Sequence, residues 1–180
     1  MGFFHSDDEK RRSKASSISQ ELLTSNANYF KKLGCKACPL DKANLHSPKM
    51  KPVGSKYPDL YVLGECPSKK EDEAGEPFAN AAGDFVANLM PDDVRIRWNN
   101  SIRCRPTDQA GTRQPSNIEL VCCADKQFED ILDCEVRVVL ALGKTALFLL
   151  TGVDDLAIAR GRAFACNVRN QAVWVVPTFH

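Results

Sequence analysis

DLYVLGECPSKKEDEAGEPF, residues 59–78, begins as a buried strand and then abandons the pattern. Tyr61-Val62-Leu63 shows no polar alternation, as expected of a strand covered on both faces. The run ends at Gly64, and a carboxylate, Glu65, follows at once. Pro67, a charged run and a lone aromatic after a proline, Phe78, come next. A second apolar run, VRVVLAL at 136–142, leads into Gly143-Lys144-Thr145. Segments 94–102 (VRIRWNNSI) and 172–176 (AVWVV) complete a set of four expected strands. Helical periodicity lies between strands at 81–90, 117–132 and 143–151, and a weaker pattern starts at residue 18 (Ile18, Leu22, Leu23, Phe30). Alternation of strands and helices predicts an α/β fold. Its expected form is three-layer, with a mostly parallel central sheet of about four strands flanked by helices. Ligands in such sheets bind beyond the carboxyl ends of the strands. The unusual chemistry sits at those ends: Gly64-Glu65, Asn99-Asn100, Gly143-Lys144-Thr145, and Pro177 to His180.

The chain has 180 residues, enough for one domain with a real core. Its 43% hydrophobic and 26% charged residues fit an ordinary globular protein, and a net charge of +1 announces no global field for nucleic acid. No apolar run reaches the ~20 residues of a membrane span, and no secretory signal opens the chain, so a cytoplasmic location is expected, in a bacterial cell or, for a phage-encoded protein, its host. Residues 1–17 are polar and aperiodic and read as a flexible lead-in to a domain over 18–180. Lys10, Arg11, Arg12 and Lys14 could touch a phosphate backbone, although a solvated tail is the simpler reading. Met1 to Ser6 fits a myristoylation pattern that is common by chance.

Eight cysteines without a signal peptide point to metal or cluster ligation before disulfides. Cys35 and Cys38 form a CxxC, and Cys104 with the Cys122-Cys123 pair could supply the remaining ligands. A zinc ribbon would carry a second CxxC, which is missing, whereas isolated cysteines suit the spread-out corners of an iron–sulphur cluster. Adjacent cysteines can hardly both face one cluster, so one of the pair should be packing. Spacing alone leaves zinc and cluster both open. Cys134 and Cys166 read as small buried apolar residues.

Taken together, the segments from about Cys35 to His180 resemble the family 4, iron–sulphur uracil-DNA glycosylases of the uracil-DNA glycosylase superfamily. Gly64-Glu65-Cys66-Pro67-Ser68 through Glu71-Asp72 is similar to the family's GEAPGxxED, and Gly75-Glu76-Pro77-Phe78 with Ala82-Gly83 to GxPFxGxAG. Asn100 to Pro106 resembles NxxKCRP, and Leu140 to Ala146 resembles ALGxTA. Arg160-Gly161-Arg162 and Val176 to His180 are similar to the closing RG and vPTyH elements. Each is weak alone; their order and separations together are specific.

The resemblance implies a monofunctional glycosylase acting on uracil in single- or double-stranded DNA. It also implies a [4Fe-4S] cluster on Cys35, Cys38, Cys104 and Cys123. Phe78 would stack on the flipped base, Asn100 would read its edge, and Gly64 would join them in binding the substrate. Glu65 would hold water or offset the sugar cation, and His180 would donate to uracil O2. Glu71 and Asp72 read as loop supports, and Lys69, Lys70, Arg103 and Arg105 as phosphate contacts. Ser68 replaces a family glycine and matters if the backbone there needs positive φ. Asn80 replaces another and should add bulk beside Phe78. The family continues past the position of His180, so a longer polypeptide is expected, and related domains at the N-termini of some phage DNA polymerases suggest a phage origin. A monomer is expected, with a polymerase or replication partner as an option. The rival readings are a catalytically impaired iron–sulphur DNA-binding module and a zinc-bearing α/β enzyme.

Overall fold

The computed structural model describes residues 25–180. The expected lead-in over 1–17, its basic residues, and Ile18, Leu22 and Leu23 lie outside the described residues. Among these, four parallel strands make the centre of one sheet: β3 (Ile96–Asn100), β2 (Leu60–Gly64), β6 (Val138–Leu142) and β8 (Gln171–Thr178). They coincide with the four apolar runs expected as strands. Two antiparallel edge strands raise the sheet to six: β1 (Val53–Gly54) beside β3, and β7 (Phe164–Val168) beside β8. Neither advertises itself in the sequence. β1 is two residues long, and β7 turns into β8 through Arg169-Asn170, where Arg169 adopts φ 54 without a glycine to mark it. A separate two-stranded hairpin joins β4 (Thr107–Asp108) to β5 (Gly111–Thr112).

Helices α3 (Ala81–Asn88), α4 (Asn117–Asp133) and α5 (Lys144–Thr151) fall where periodicity placed them, and α1 (Ser25–Leu33) precedes two 3₁₀ turns, Gly34–Ala37 and Pro39–Lys42. The charged run after Pro67, where Glu71 and Asp72 read as loop supports, forms a short helix, α2 (Lys69–Ala74). Ser68 caps it by accepting from the Glu71 N–H, the Glu71 carboxylate returns to the Ser68 N–H, and Gly75 closes it at φ 79. One more short helix, α6 (Leu156–Ala159), follows α5.

Strand alternation sorts side chains to two faces. Tyr61, Leu63, Val139, Ala141, Val173 and Val175 point to one face and meet Ile131 of α4 and Ala146 and Leu150 of α5 in the main core. Each fully buried aliphatic there contributes ~1.5–3 kcal/mol. Asn100 and Trp98 point to the other face, toward Glu71 of α2 and Phe78. Helical elements thus lie on both sides of the sheet, as a three-layer α/β fold requires.

Candidate active site and thiol-lined cavity

At the carboxyl ends of β2 and β3 the chain leaves a cleft of about 450 Å³, lined by Phe78, Asn100, His180, Glu71, Cys66 and Lys69 among others. Gly64 is its floor. A Cβ added there would collide with Asn100 Oδ1 and approach Phe78 Cζ to 2.8 Å. Only hydrogen fits beneath the amide and the ring.

Phe78 is held in a conformation that aromatic residues rarely adopt, at φ 63. Three contacts keep it there. Its N–H donates to Glu71 Oε1 at 2.5 Å, its carbonyl accepts from Asn80 N–H at 2.8 Å, and its ring leans on Trp98 with centroids 5.0 Å apart. Gly83 packs so close to the Phe78 carbonyl that any Cβ would overlap it. These neighbours over-determine a backbone conformation that the residue would not keep alone.

Glu71 is buried at 3% exposure, yet both of its oxygens accept hydrogen bonds. Oε1 also accepts from Asn100 Nδ2 at 3.1 Å, while Oε2 accepts from Ser68 N–H at 2.7 Å. An ionised carboxylate can only accept, so Asn100 must turn its NH₂ toward Glu71 and its Oδ1 over Gly64. Asp72, 1% exposed, accepts from the Ser47 and His46 N–H groups and ties the 46–47 segment to α2. The expectation that Glu71 and Asp72 support loops therefore holds, and Glu71 does more by fixing an amide.

Glu65 stands one residue beyond Gly64, with Oε2 accepting from Thr145 Oγ1 at 2.8 Å. His180 lies against Gly143, where a Cβ would come within 3.0 Å of the histidine's own Cβ. Gly143 has φ 91 and donates its N–H to the Thr178 carbonyl at 2.9 Å. Thus Gly64, Glu65, Phe78, Asn100 and His180, drawn from three strand ends and one loop, gather at one place. Trp98 and Thr145 join them without having been singled out in the sequence. Trp98 could have been found from alternation, being two residues before Asn100 on the same face.

Both replacements of a family glycine are helix caps, and Asn80 lines the cleft with Phe78 as expected. Ser68 has φ −76, so a serine is unstrained where the family has glycine, and its hydroxyl serves as a helix cap. Asn80 likewise caps α3 at φ −156, with Oδ1 accepting from Gly83 N–H at 2.9 Å. Cys66 lines the cleft, and burial, with Glu65 and Glu71 nearby, pushes its thiol up to about 12. Its side chain forms part of the cleft wall.

A second cavity, of about 170 Å³, is lined by Cys35, Cys38, Cys104, Cys122 and Cys123 with Leu40 and Ile102. Cys35 comes from the first 3₁₀ turn, Cys38 from between the turns, Cys104 from the segment after β3, and Cys123 from α4. Among the described residues no three His, Cys, Asp or Glu side chains are close enough to grip one ion. Thiolates around a single Zn²⁺ would close on a point at ~2.3 Å from the metal; these surround a void. Donors face the sulphurs: Lys49 N–H to Cys104 at 3.2 Å, Arg103 N–H to Cys123 at 3.3 Å, and Gln127 Nε2 to Cys123 at 3.4 Å. The Nε of Arg103, which also lines the cavity, is buried without a partner among the described residues. A soft, anionic, sulphur-rich group of cluster size would fill the void and give that donor an acceptor. Arg103 thus lines this cavity with its Nε, while its outer nitrogen donates to the Lys126 carbonyl at 3.1 Å. Glu119, also on the wall at 1% exposure, is gripped by Arg113 at 2.5 and 2.9 Å. Burial pushes its carboxyl up, but Arg113 and the Ser116 N–H outweigh it and hold it below the ordinary glutamate range.

Comparison with known proteins gives a concordant result. A family model described as the uracil DNA glycosylase superfamily matches residues 52–180. Among similar curated proteins is a type-4 uracil-DNA glycosylase of Thermotoga maritima, 29% identical over 174 residues, which cover 89% of this chain and 82% of that one. Those of Archaeoglobus fulgidus and Sulfurisphaera tokodaii are 25% and 24% identical, over 82% of this chain and 76% and 70% of their own.

Proposed function

The chain belongs to the uracil-DNA glycosylase superfamily, and from that premise we propose that it excises uracil from DNA by hydrolysing the N1–C1′ bond of a flipped-out deoxyuridine. We further propose that Cys35, Cys38, Cys104 and Cys123 hold a [4Fe-4S] cluster. Extruding the base costs a few kcal/mol, and the cleft must return that in contacts a flipped uracil alone can make. Phe78 offers the stacking face, its ring braced from behind by Trp98. Asn100 offers an edge with one polarity. With Nδ2 committed to Glu71, Oδ1 accepts uracil N3–H while the second Nδ2 hydrogen reaches O4. Cytosine would set its N3 lone pair against Oδ1 and its own amino group against Nδ2, so the same amide repels it. This fixed amide beside a strained aromatic is the observation that carries the assignment.

Bond cleavage builds positive charge on the sugar and negative charge on the departing base. Glu65, steadied by Thr145, is the group to offset the former and to hold the attacking water. His180 is the donor for uracil O2. Lys69 and Lys70, at the cleft margin, supply phosphate contacts. When bound, the cluster supplies a rigid cross-link between the 3₁₀ turns, the segment after β3 and α4, and no bond-breaking step passes through it.

The decisive experiment incubates cluster-loaded protein, recognised by absorption near ~400 nm, with a single-stranded uracil oligonucleotide followed by alkali. Strand cleavage at uracil is expected, with Glu65→Ala, Asn100→Ala and His180→Ala each slowing it. Absence of cleavage at any enzyme excess would overturn the catalytic assignment.

A further inference from the structure

The thiol cavity and the base cleft are joined by an uninterrupted run of buried hydrogen bonds whose polarity is fixed from one end. Asp130 accepts from Arg97 at 2.6 and 2.9 Å and from the Tyr61 hydroxyl at 2.6 Å. Because that hydroxyl spends its proton on Asp130, its oxygen must accept from Asn99 Nδ2, 2.8 Å away. Asn99 therefore turns Oδ1 the other way, where it accepts the N–H of Asn100 at 2.9 Å. The remaining Nδ2 hydrogen of Asn99 goes to Gln127 Oε1 at 2.6 Å. Gln127 is then left with its NH₂ facing Cys123 Sγ at 3.4 Å. Every amide in the series has one permitted orientation, set by a carboxylate that can only accept. Gln127 is fully buried and sits one helical turn after Cys123, so it has no solvent with which to exchange these bonds.

We propose that Gln127 is a positioning residue shared by both sites, holding the backbone of the base reader Asn100 through Asn99 while donating N–H to the ligand sulphur of Cys123. The inference rests on the reading of Cys123 as a cluster ligand. An N–H···S bond stabilises electron density on a ligating thiolate and so raises the cluster's reduction potential. The same side chain, through Asn99, holds the strand end from which Asn100 reaches into the cleft.

The test compares cluster-loaded, full-length wild type with Gln127→Met, which keeps the volume and removes both bonds. Spectroelectrochemical titration and uracil-oligonucleotide kinetics are read on the same preparations. Expected are a lower reduction potential than wild type and a KM raised about tenfold, the scale of one lost buried hydrogen bond. An unchanged potential, or an unchanged KM, overturns the proposal. Should Gln127→Met fail to load its cluster, Asn99→Leu carries the test, since it leaves every cysteine and Gln127 in place. It removes the bond that orients the Gln127 amide, so the potential should still fall although residue 99 touches no cysteine. An unmoved potential there refutes the relay. A wild type that takes up no iron and sulphide at all would instead refute the reading of the cysteines, which separates the two failures.

Discussion

Glu71 should respond very differently to two substitutions, because its two oxygens carry unequal loads. Oε1 accepts from two donors, Phe78 N–H and Asn100 Nδ2, whereas Oε2 accepts from Ser68 N–H alone. Glu71→Gln keeps one oxygen and must face its NH₂ toward one side. The cheaper choice keeps the oxygen toward Phe78 and Asn100 and leaves Ser68 N–H opposed to another donor. One buried donor then goes unsatisfied, at ~1–3 kcal/mol, and the surviving bonds lose their charge assistance. Stability should fall by that amount, yet Asn100 remains oriented and uracil excision stays within about tenfold of wild type, as ~1.4 kcal/mol or less of transition-state binding would give. Glu71→Ala removes both oxygens. Asn100 is then free to turn its amide over, and Phe78 loses the short N–H bond that helps hold φ at 63. Two contacts to the flipped base are weakened together, so excision should slow by on the order of 100-fold or more, at ~1–3 kcal/mol per contact. Single-turnover cleavage of a uracil oligonucleotide, run beside urea melts of the same proteins, separates the effects. Equal rate losses in the two variants would refute the argument that amide orientation, not the carboxylate charge, is what Glu71 provides.

Gly64→Ala should abolish measurable excision while leaving the cluster spectrum intact, because the added methyl occupies the space of Asn100 Oδ1 and the Phe78 ring; a variant retaining wild-type activity would remove Gly64 from the floor. Thr145→Val should slow the single-turnover rate by about threefold to tenfold with little change in KM, since one hydroxyl worth ~0.5–1.5 kcal/mol orients Glu65. Arg113→Gln should cost on the order of 2–4 kcal/mol in a denaturant melt, less than the ~3–5 of a wholly buried pair because Arg113 is partly in solvent. The pH dependence has a definite sign. Glu119 is depressed in the folded chain, so its stabilisation is complete above the ordinary value of 4.5 and is lost as the pH falls below it toward the depressed folded value. Wild type should therefore lose stability across that acid range, and Arg113→Gln should lose less of it.

What could be read in the sequence was whatever depended on neighbours along the chain. Apolar runs such as Tyr61 to Leu63 and Val138 to Leu142 declare central strands, because burial on both faces leaves no room for alternation. Their ends declared the cleft. Helix α2 leaves a weaker trace, because Ser68 and Glu71 stand at capping-box spacing but its six charged and small residues carry no apolar periodicity. Less accessible were roles set by distant partners. Glu71 is defined by Asn100, 29 residues away, and Gln127 by Asn99, 28 residues away; nothing local to a glutamate or glutamine in a helix forecasts either bond. The strain at Phe78 was hidden for the same reason, since it is imposed by Glu71, Asn80 and Gly83 acting from outside the residue.

The pair Asn99-Asn100 explains how one small sheet can serve two unrelated tasks. Successive residues of a strand point to opposite faces. Asn100 enters the cleft on the side of α2, while Asn99 enters the core on the side of α4. Four residues beyond Asn100 the chain delivers Cys104 to the thiol cavity. The end of β3 therefore cannot shift by even one residue without exchanging the two asparagines, which would put Oδ1 of the base reader into the core and break the Tyr61–Asp130 network. Register here is held by buried polar bonds where aliphatic packing alone would tolerate slippage. Asn99 and Gln127, polar residues completely enclosed by protein, are thus accounted for by the precision they impose on Asn100, and an apolar replacement of either would trade that precision for burial.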